Sequence, residues 1–272
     1  MLMKRAIIFV SVLSFCFTLL ASQEEIKDTV YIPPYPLTEH QAYQGGERLV
    51  FSLNYGFVTG GRATLTVEDS IFNDRKVHHV IGRGVTVGLA DVLYKIRDRY
   101  ESFINIETNE PLKAVRSIRE GRYRYYNEVE YNRDSSQVIS KKSGIHNVQE
   151  GILDILSAFY FARNHKFNEN LQEGEVIEFM TYFSDENFPL RIRYRGTEVI
   201  KTNFGKIECY KFSPVTEVGR AFKTENDMHV WITRDNNRIP VRVRFDLAVG
   251  SFTCNLTEFK GLKHPFSSVR HK

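Results

Sequence analysis

Alternation of apolar and polar residues with a period of two, cut repeatedly by glycine pairs and Asn-Asp turns, constrains this chain more than any other feature. After Gly45-Gly46, the residues Leu49, Phe51, Leu53, Tyr55 and Phe57 alternate with Arg48, Val50, Ser52, Asn54 and Gly56. Successive side chains of a strand point to opposite faces, so such a run specifies a strand with one buried face. Gly60-Gly61 turns the chain into a second run, with Ala63, Leu65 and Val67 against Arg62, Thr64, Thr66 and Glu68. Asn73-Asp74 then leads into a strand from Val77 to Val87. The grammar returns with Leu190, Ile192 and Tyr194 against three arginines, and with Ile239, Val241, Val243 and Phe245 against Arg238, Arg242, Arg244 and Asp246. Further strands are expected at Leu112–Arg119, Arg122–Tyr131, Val176–Phe183, Lys206–Phe212, Met228–Thr233 and Ser251–Phe259. Roughly ten strands or more suit a mainly β fold, either a single curved antiparallel sheet or an open β-barrel.

Two segments depart from this pattern. Leu89, Val92, Leu93 and Ile96 recur at helical spacing, and Ile152 to Asn164 reads as a longer helix, apolar on nearly every side. A helix of that kind needs burial around most of its circumference. In a protein built from one curved sheet, the concave face supplies it.

The N-terminus reads as a secretory signal peptide over residues 1–22: Lys4 and Arg5, an uncharged run from Ala6 to Leu20, then Ala21-Ser22. The run, about 15 residues, is shorter than the roughly 20 that cross a bilayer. Phe15 precedes Cys16 where a lipoprotein signal requires a small residue. The expectation is an unlipidated chain in the periplasm or secreted. Residues 23–44, polar and carrying Pro33, Pro34 and Pro36, read as an extended linker, residues 45–262 as one β domain and residues 263–272 as a basic tail.

The formal charge of +4 falls to +2 when Lys4 and Arg5 leave, which is not the basic excess of a nucleic-acid binder. No nucleophile elbow, zinc-protease helix, phosphate-binding glycine loop or C-x-x-C pair is present. The neighbours His78 and His79 point to opposite faces of a strand and cannot ligate one metal. The reading is a protein without enzymatic activity, metal or cofactor. Cys209 and Cys254 are expected to stay free, three strand spacings apart in a meander.

Two groups of residues are candidates for binding. Arg116, Arg119, Arg122 and Arg124, interleaved with Tyr123, Tyr125 and Tyr126, could grip an anionic head group, since a guanidinium fork suits carboxylate or phosphate. The alternative is a solvated strand face that discourages edge pairing. On the long helix, Asp154, Ser157, Tyr160 and Arg163 recur every third residue as a polar stripe, where Asp154 is expected to pair with Arg163 or a strand arginine.

Gly46-Glu47-Arg48-Leu49, Gly61-Arg62-Ala63-Thr64-Leu65, the helix stripe, Gly205 to Lys211, Trp231-Ile232 through Arg238-Ile239-Pro240-Val241 and Gly250-Ser251 occur in one order over residues 45–262. Together they resemble the exported domain-of-unknown-function family numbered 3108, which implies export and a β fold rather than an activity. The stretch Asn236-Asn237-Arg238-Ile239-Pro240, with a tryptophan strand before it, is also similar to periplasmic lipoprotein carriers of the LolA and LolB type. That similarity implies an open barrel whose concave side holds acyl chains; likeness of fold does not by itself transfer function.

The functional expectation is an envelope protein binding a lipid-like or other hydrophobic molecule in the concave face. Leu156, Phe159, Tyr160 and Trp231 would contribute to the pocket, and Arg116 and Arg124 would meet a polar head. The alternatives are an outer-membrane β-barrel, whose strands alternate in the same way, and a structural or protein-interaction module with no ligand, partnered by another envelope protein.

Overall fold

A computed structural model describes residues 29–31, 42–164, 171–215, 227–247 and 250–269. The expected signal peptide with Cys16, and most of the proline-rich stretch, lie outside these residues. Among the described residues, fifteen strands form one sheet in the order β1-β10-β11-β12-β13-β14-β15-β2-β3-β4-β5-β6-β7-β8-β9. The first meander comprises β2 (Arg48–Tyr55), β3 (Val58–Phe72), β4 (Arg75–Thr86), β5 (Arg97–Asn105), β6 (Pro111–Glu120), β7 (Tyr123–Asn132), β8 (Gln137–Ser140) and β9 (Gly144–Asn147). The second comprises β10 (Val176–Phe183), β11 (Glu186–Thr202), β12 (Gly205–Pro214), β13 (Met228–Thr233), β14 (Pro240–Asp246) and β15 (Ser251–Lys260). β15 pairs with β2 and joins the two meanders, while the short β1 (Thr29–Tyr31) lies parallel to β10. The expected curved antiparallel sheet is what the chain forms.

The sheet is not closed by backbone pairing. Side chains span the gap: Ser140 Oγ donates to Asp185 Oδ1 at 2.8 Å, Arg116 Nη1 to Ser184 Oγ at 3.2 Å, and Ile152 and Tyr182 pack against Tyr131 and Val138. Leu153 makes a parallel bridge to Thr181 of β10, so the helix begins later than its apolar run, with α2 spanning Ile155–Asn164. The expected short helix is α1 (Gly88–Leu93), after β4.

Helix α2 lies across the concave face. Its lower half packs Phe161 and Ala158 against Phe179, Phe212 and Ile232, while Tyr160 meets Tyr43, Val67 and Val80. Each fully buried side chain of this kind contributes roughly 1.5–3 kcal/mol. The helix packs over Gly82 of β4, where an added Cβ would stand 3.5 Å from Leu156. Asp154 caps α2, accepting from the backbone N–H groups of Leu156 (2.8 Å) and Ser157 (3.1 Å) and from Ser102 Oγ (2.6 Å), while Ser157 Oγ accepts from the Asp154 N–H. This corrects the expected pairing of Asp154 with Arg163 or a strand arginine: among the described residues its carboxylate is engaged by the cap and by Ser102. Asp154 and Arg163 occupy opposite ends of the helix, about 13.5 Å apart at 1.5 Å per residue.

At one end of the sheet the loops after β5 and β13 and the start of β2 seal the interior. Ala42 N–H donates to Asn164 Oδ1 (2.7 Å), Asn164 to Asn109 Oδ1 (3.0 Å), and Arg238 to the Arg163 carbonyl (2.6 Å). Ala42 and Tyr43, expected in the linker, are buried there. His264, expected in the tail, is tied to Asn237 in both directions, and Ile207 bridges to Val269. The domain therefore reaches past both expected boundaries, because each flanking segment covers backbone groups that would otherwise be left unpaired.

Candidate ligand-binding cavity

The seal leaves the other half of the concavity unfilled. A cavity of about 280 Å³ lies between the upper half of α2 and the inner faces of β2–β4 and β13–β15, walled by residues including Phe51, Leu65, Leu156, Phe159, Val243 and Phe252. Small residues on the inner faces of β3 and β4, Ala63 and Gly82, leave the space open. Leu156 and Phe159 are half-buried although they point inward, unlike Ile155, Ala158, Tyr160 and Phe161 on the same helix. The helix therefore does not fill the concavity. A volume near the lower end of ordinary ligand pockets, roughly 300–1,000 Å³, with an almost wholly apolar wall suits a slender hydrocarbon group.

Beside it lies a smaller cavity of about 60 Å³, sharing Tyr100, Ile155 and Leu156 as wall residues and lined on its far side by Arg116. The Arg116 guanidinium is stacked among aromatic rings, 4.9 Å from the centroid of Tyr125, 4.7 Å from Phe183 and 5.8 Å from Tyr100. Rings on several sides hold the side chain in one place and limit its hydration. The arrangement sets a hydrocarbon slot beside a fixed cation, with Tyr100, Ile155 and Leu156 as their shared wall.

Of the six expected site residues, Leu156 and Phe159 line the larger cavity and Arg116 the smaller. Three lie elsewhere. Tyr160 is fully buried in edge-to-face contact with Tyr43, with centroids 4.6 Å apart, because one step along a helix turns a side chain about 100° from Phe159. Trp231 belongs to the opposite face of β13 from its neighbour Val230, which does line the cavity; its indole N–H donates to Glu198 at 3.1 Å. Arg124 is exposed and folds over its own hairpin, donating to the carbonyls of Gly121 and Tyr123. Most of the wall comes from β2, β3, β14 and β15, whose inward alternation was visible in the sequence but reads identically for a packed core.

Asp154 borders the smaller cavity, but burial holds its carboxyl above the usual range and both oxygens are engaged in the cap and with Ser102. His78 contacts Asp69 (2.9 Å) and His79 contacts Glu101 (2.7 Å), on opposite faces of β4.

The model of a protein family described as of unknown function, DUF3108, matches residues 50–257, well over half of the chain. The chain belongs to DUF3108. Outside that family, the DUF3108 chain resembles the crystal structure of a β-barrel-like protein of domain of unknown function DUF1849 from Brucella abortus. The two share 9% identity at a TM-score of 0.52, covering 81% of this chain and 99% of that one. A DUF1089 family protein from Pseudomonas aeruginosa aligns at 11% identity and a TM-score of 0.37, over 68% of this chain and 89% of that one. The first likeness shows a shared β-barrel-like fold. No curated protein matches the chain.

Proposed function

We propose that this DUF3108 protein is exported to the cell envelope and holds an amphipathic anion of the acyl type. The hydrocarbon would occupy the cavity beside α2, and the head group would lie toward Arg116. The observation that carries the reading is the shared wall of Tyr100, Ile155 and Leu156, which sets an apolar slot against a cation enclosed by aromatic rings. A guanidinium favours carboxylate or phosphate over a neutral head.

The outer-membrane barrel is disfavoured by the direction of the alternation. The apolar residues of β2 and β3 face inward, and Arg48, Arg62 and Glu68 alternate with them, which inverts the lipid-facing pattern of a membrane barrel. Mass spectrometry of lipid extracted from the chain purified out of its native envelope tests the proposal. An acyl anion at near-stoichiometric level is expected. Extracts devoid of any such compound, from protein that also fails to take up added fatty acid, would overturn it.

A further inference from the structure

The end of the sheet opposite the seal carries the tips of the β2–β3 and β6–β7 hairpins and helix α1. On these tips the protein places apolar side chains in water. Phe57 is 99% exposed, Val92 82%, Leu89 72% and Leu93 70%, with Val58 and Tyr123 about half exposed beside them. Helix α1 has no buried residue, yet it is fixed: Asp91 accepts from Thr86 Oγ1 (2.7 Å) and is gripped by both terminal nitrogens of Arg97 (2.6 and 3.0 Å). A two-turn helix held by its polar residues with its leucines and valine outward gains nothing from burial within this chain.

The surrounding charge is predominantly basic. Lys95, Arg119, Arg122 and Arg124 are exposed on the same end. The Lys95 carbonyl accepts from the Gly121 N–H at 2.9 Å, which ties α1 to the β6–β7 tip. Around α1 and the β6–β7 tip the acidic residues among the described ones are Asp91, already paired with Arg97, and the partly buried Glu120 and buried Asp98; farther round the same end lie Asp227, Asp246, which is paired with Arg244, and the exposed Glu186.

We propose that this rim docks on an anionic lipid bilayer. Phe57, Leu89, Val92 and Leu93 would enter the acyl boundary, while the four cations would meet the head groups. Apolar tips ringed by lysine and arginine are the chemistry of interfacial membrane binding, and the charge complementarity selects a bilayer over a second copy of this equally basic end. The cavity wall reaches this end through Phe245 and Phe252, which flank the β14–β15 turn, so docking would present the cavity to the membrane.

Co-sedimentation of the mature chain with phosphatidylcholine vesicles containing about one-third phosphatidylglycerol tests this, with pure phosphatidylcholine vesicles and added salt as comparisons. The chain should sediment with the anionic vesicles, less so in high salt, and weakly with the neutral ones. Val92→Asp with Leu93→Asp should weaken binding about tenfold or more, and Arg119→Glu with Arg122→Glu similarly. Ile71→Ser, an exposed apolar residue at the sealed end, should change nothing. No sedimentation of the native chain, equal binding by the Val92/Leu93 variant, or a patch that drives self-association without vesicle binding would each overturn the proposal. Val243→Trp, which fills the cavity, should leave vesicle binding intact, so loss of the ligand reading and loss of the docking reading give separate results.

Discussion

Arg163, the penultimate residue of helix α2, donates to both carboxylate oxygens of Glu47, at 2.6 and 2.7 Å, with both side chains out of contact with solvent. The same guanidinium donates to the Asn237 carbonyl through Nε (3.1 Å) and Nη2 (3.0 Å), and stands 5.0 Å from the Tyr160 ring. One side chain thus pins the lower end of α2 to the start of β2 and to the β13–β14 loop, which sets the depth of the cavity above.

Removing one partner strands a buried charge, at a cost on the order of 3–5 kcal/mol. Chemical denaturation of Glu47→Ala and Arg163→Ala should show losses of that order, and the double variant should lose less than the two combined. Additive losses would show that the pair is not coupled.

Asp154 acts on the other end of the helix as its cap. Asp154→Ala should cost roughly 0.5–2 kcal/mol for the cap, somewhat more because Ser102 loses its acceptor, and Asp154→Asn should recover most of it. Equal losses for the two variants in urea denaturation would contradict the capping role.

A carboxyl pair formed by the buried Asp98 and the partly buried Glu120 gives the protein a pH dependence. Burial, and then the neighbouring Asp98 carboxyl, raise Glu120 to about 7, and burial also raises Asp98. A carboxyl whose value is higher folded than unfolded binds more protons in the folded state, so its contribution to stability is present at low pH and is lost as pH rises toward about 7. Thermal melts should show stability falling from the ordinary glutamate range up to neutrality, and Glu120→Gln should flatten that slope. A slope unchanged in the variant would assign it to other groups.

Cys209 and Cys254 are both free and separated by β13 and β14, or about 14 Å at three strand spacings, beyond disulfide reach of about 7 Å. Burial raises both thiols to about 12, so neither should react readily with charged reagents in the folded chain. Cys254 borders the cavity, however, and Cys209 does not. An apolar maleimide should therefore label Cys254 first, and added fatty acid should slow it. Equal labelling of the two would place Cys254 out of ligand reach.

The fold was largely legible wherever inward positions are apolar, as in β2, β3 and β14. Strand β5 was not, because two of its inner residues are Asp98 and Ser102, polar for the sake of Arg119 and the α2 cap, and they erase the alternation. Helix residues Leu156 and Phe159 could be named because an all-round apolar helix must enter the concavity. The Glu47–Arg163 pair joins residues 116 apart in sequence, a distance over which no local pattern extends. Trp231 misled because a strand buries residues on both faces when hairpins and tail segments cover the outer one, as Ile207 and Cys209 show.

Titration of the delipidated chain with a fluorescent polyene fatty acid tests the central claim most directly. One saturable site per chain is expected, weakened about tenfold or more by Val243→Trp and by Leu65→Trp, which fill the slot. Arg116→Gln should weaken the acid in the same way while leaving the alcohol of equal chain length almost unchanged. Binding that never saturates, or that ignores both the filled slot and the missing cation, would contradict the account.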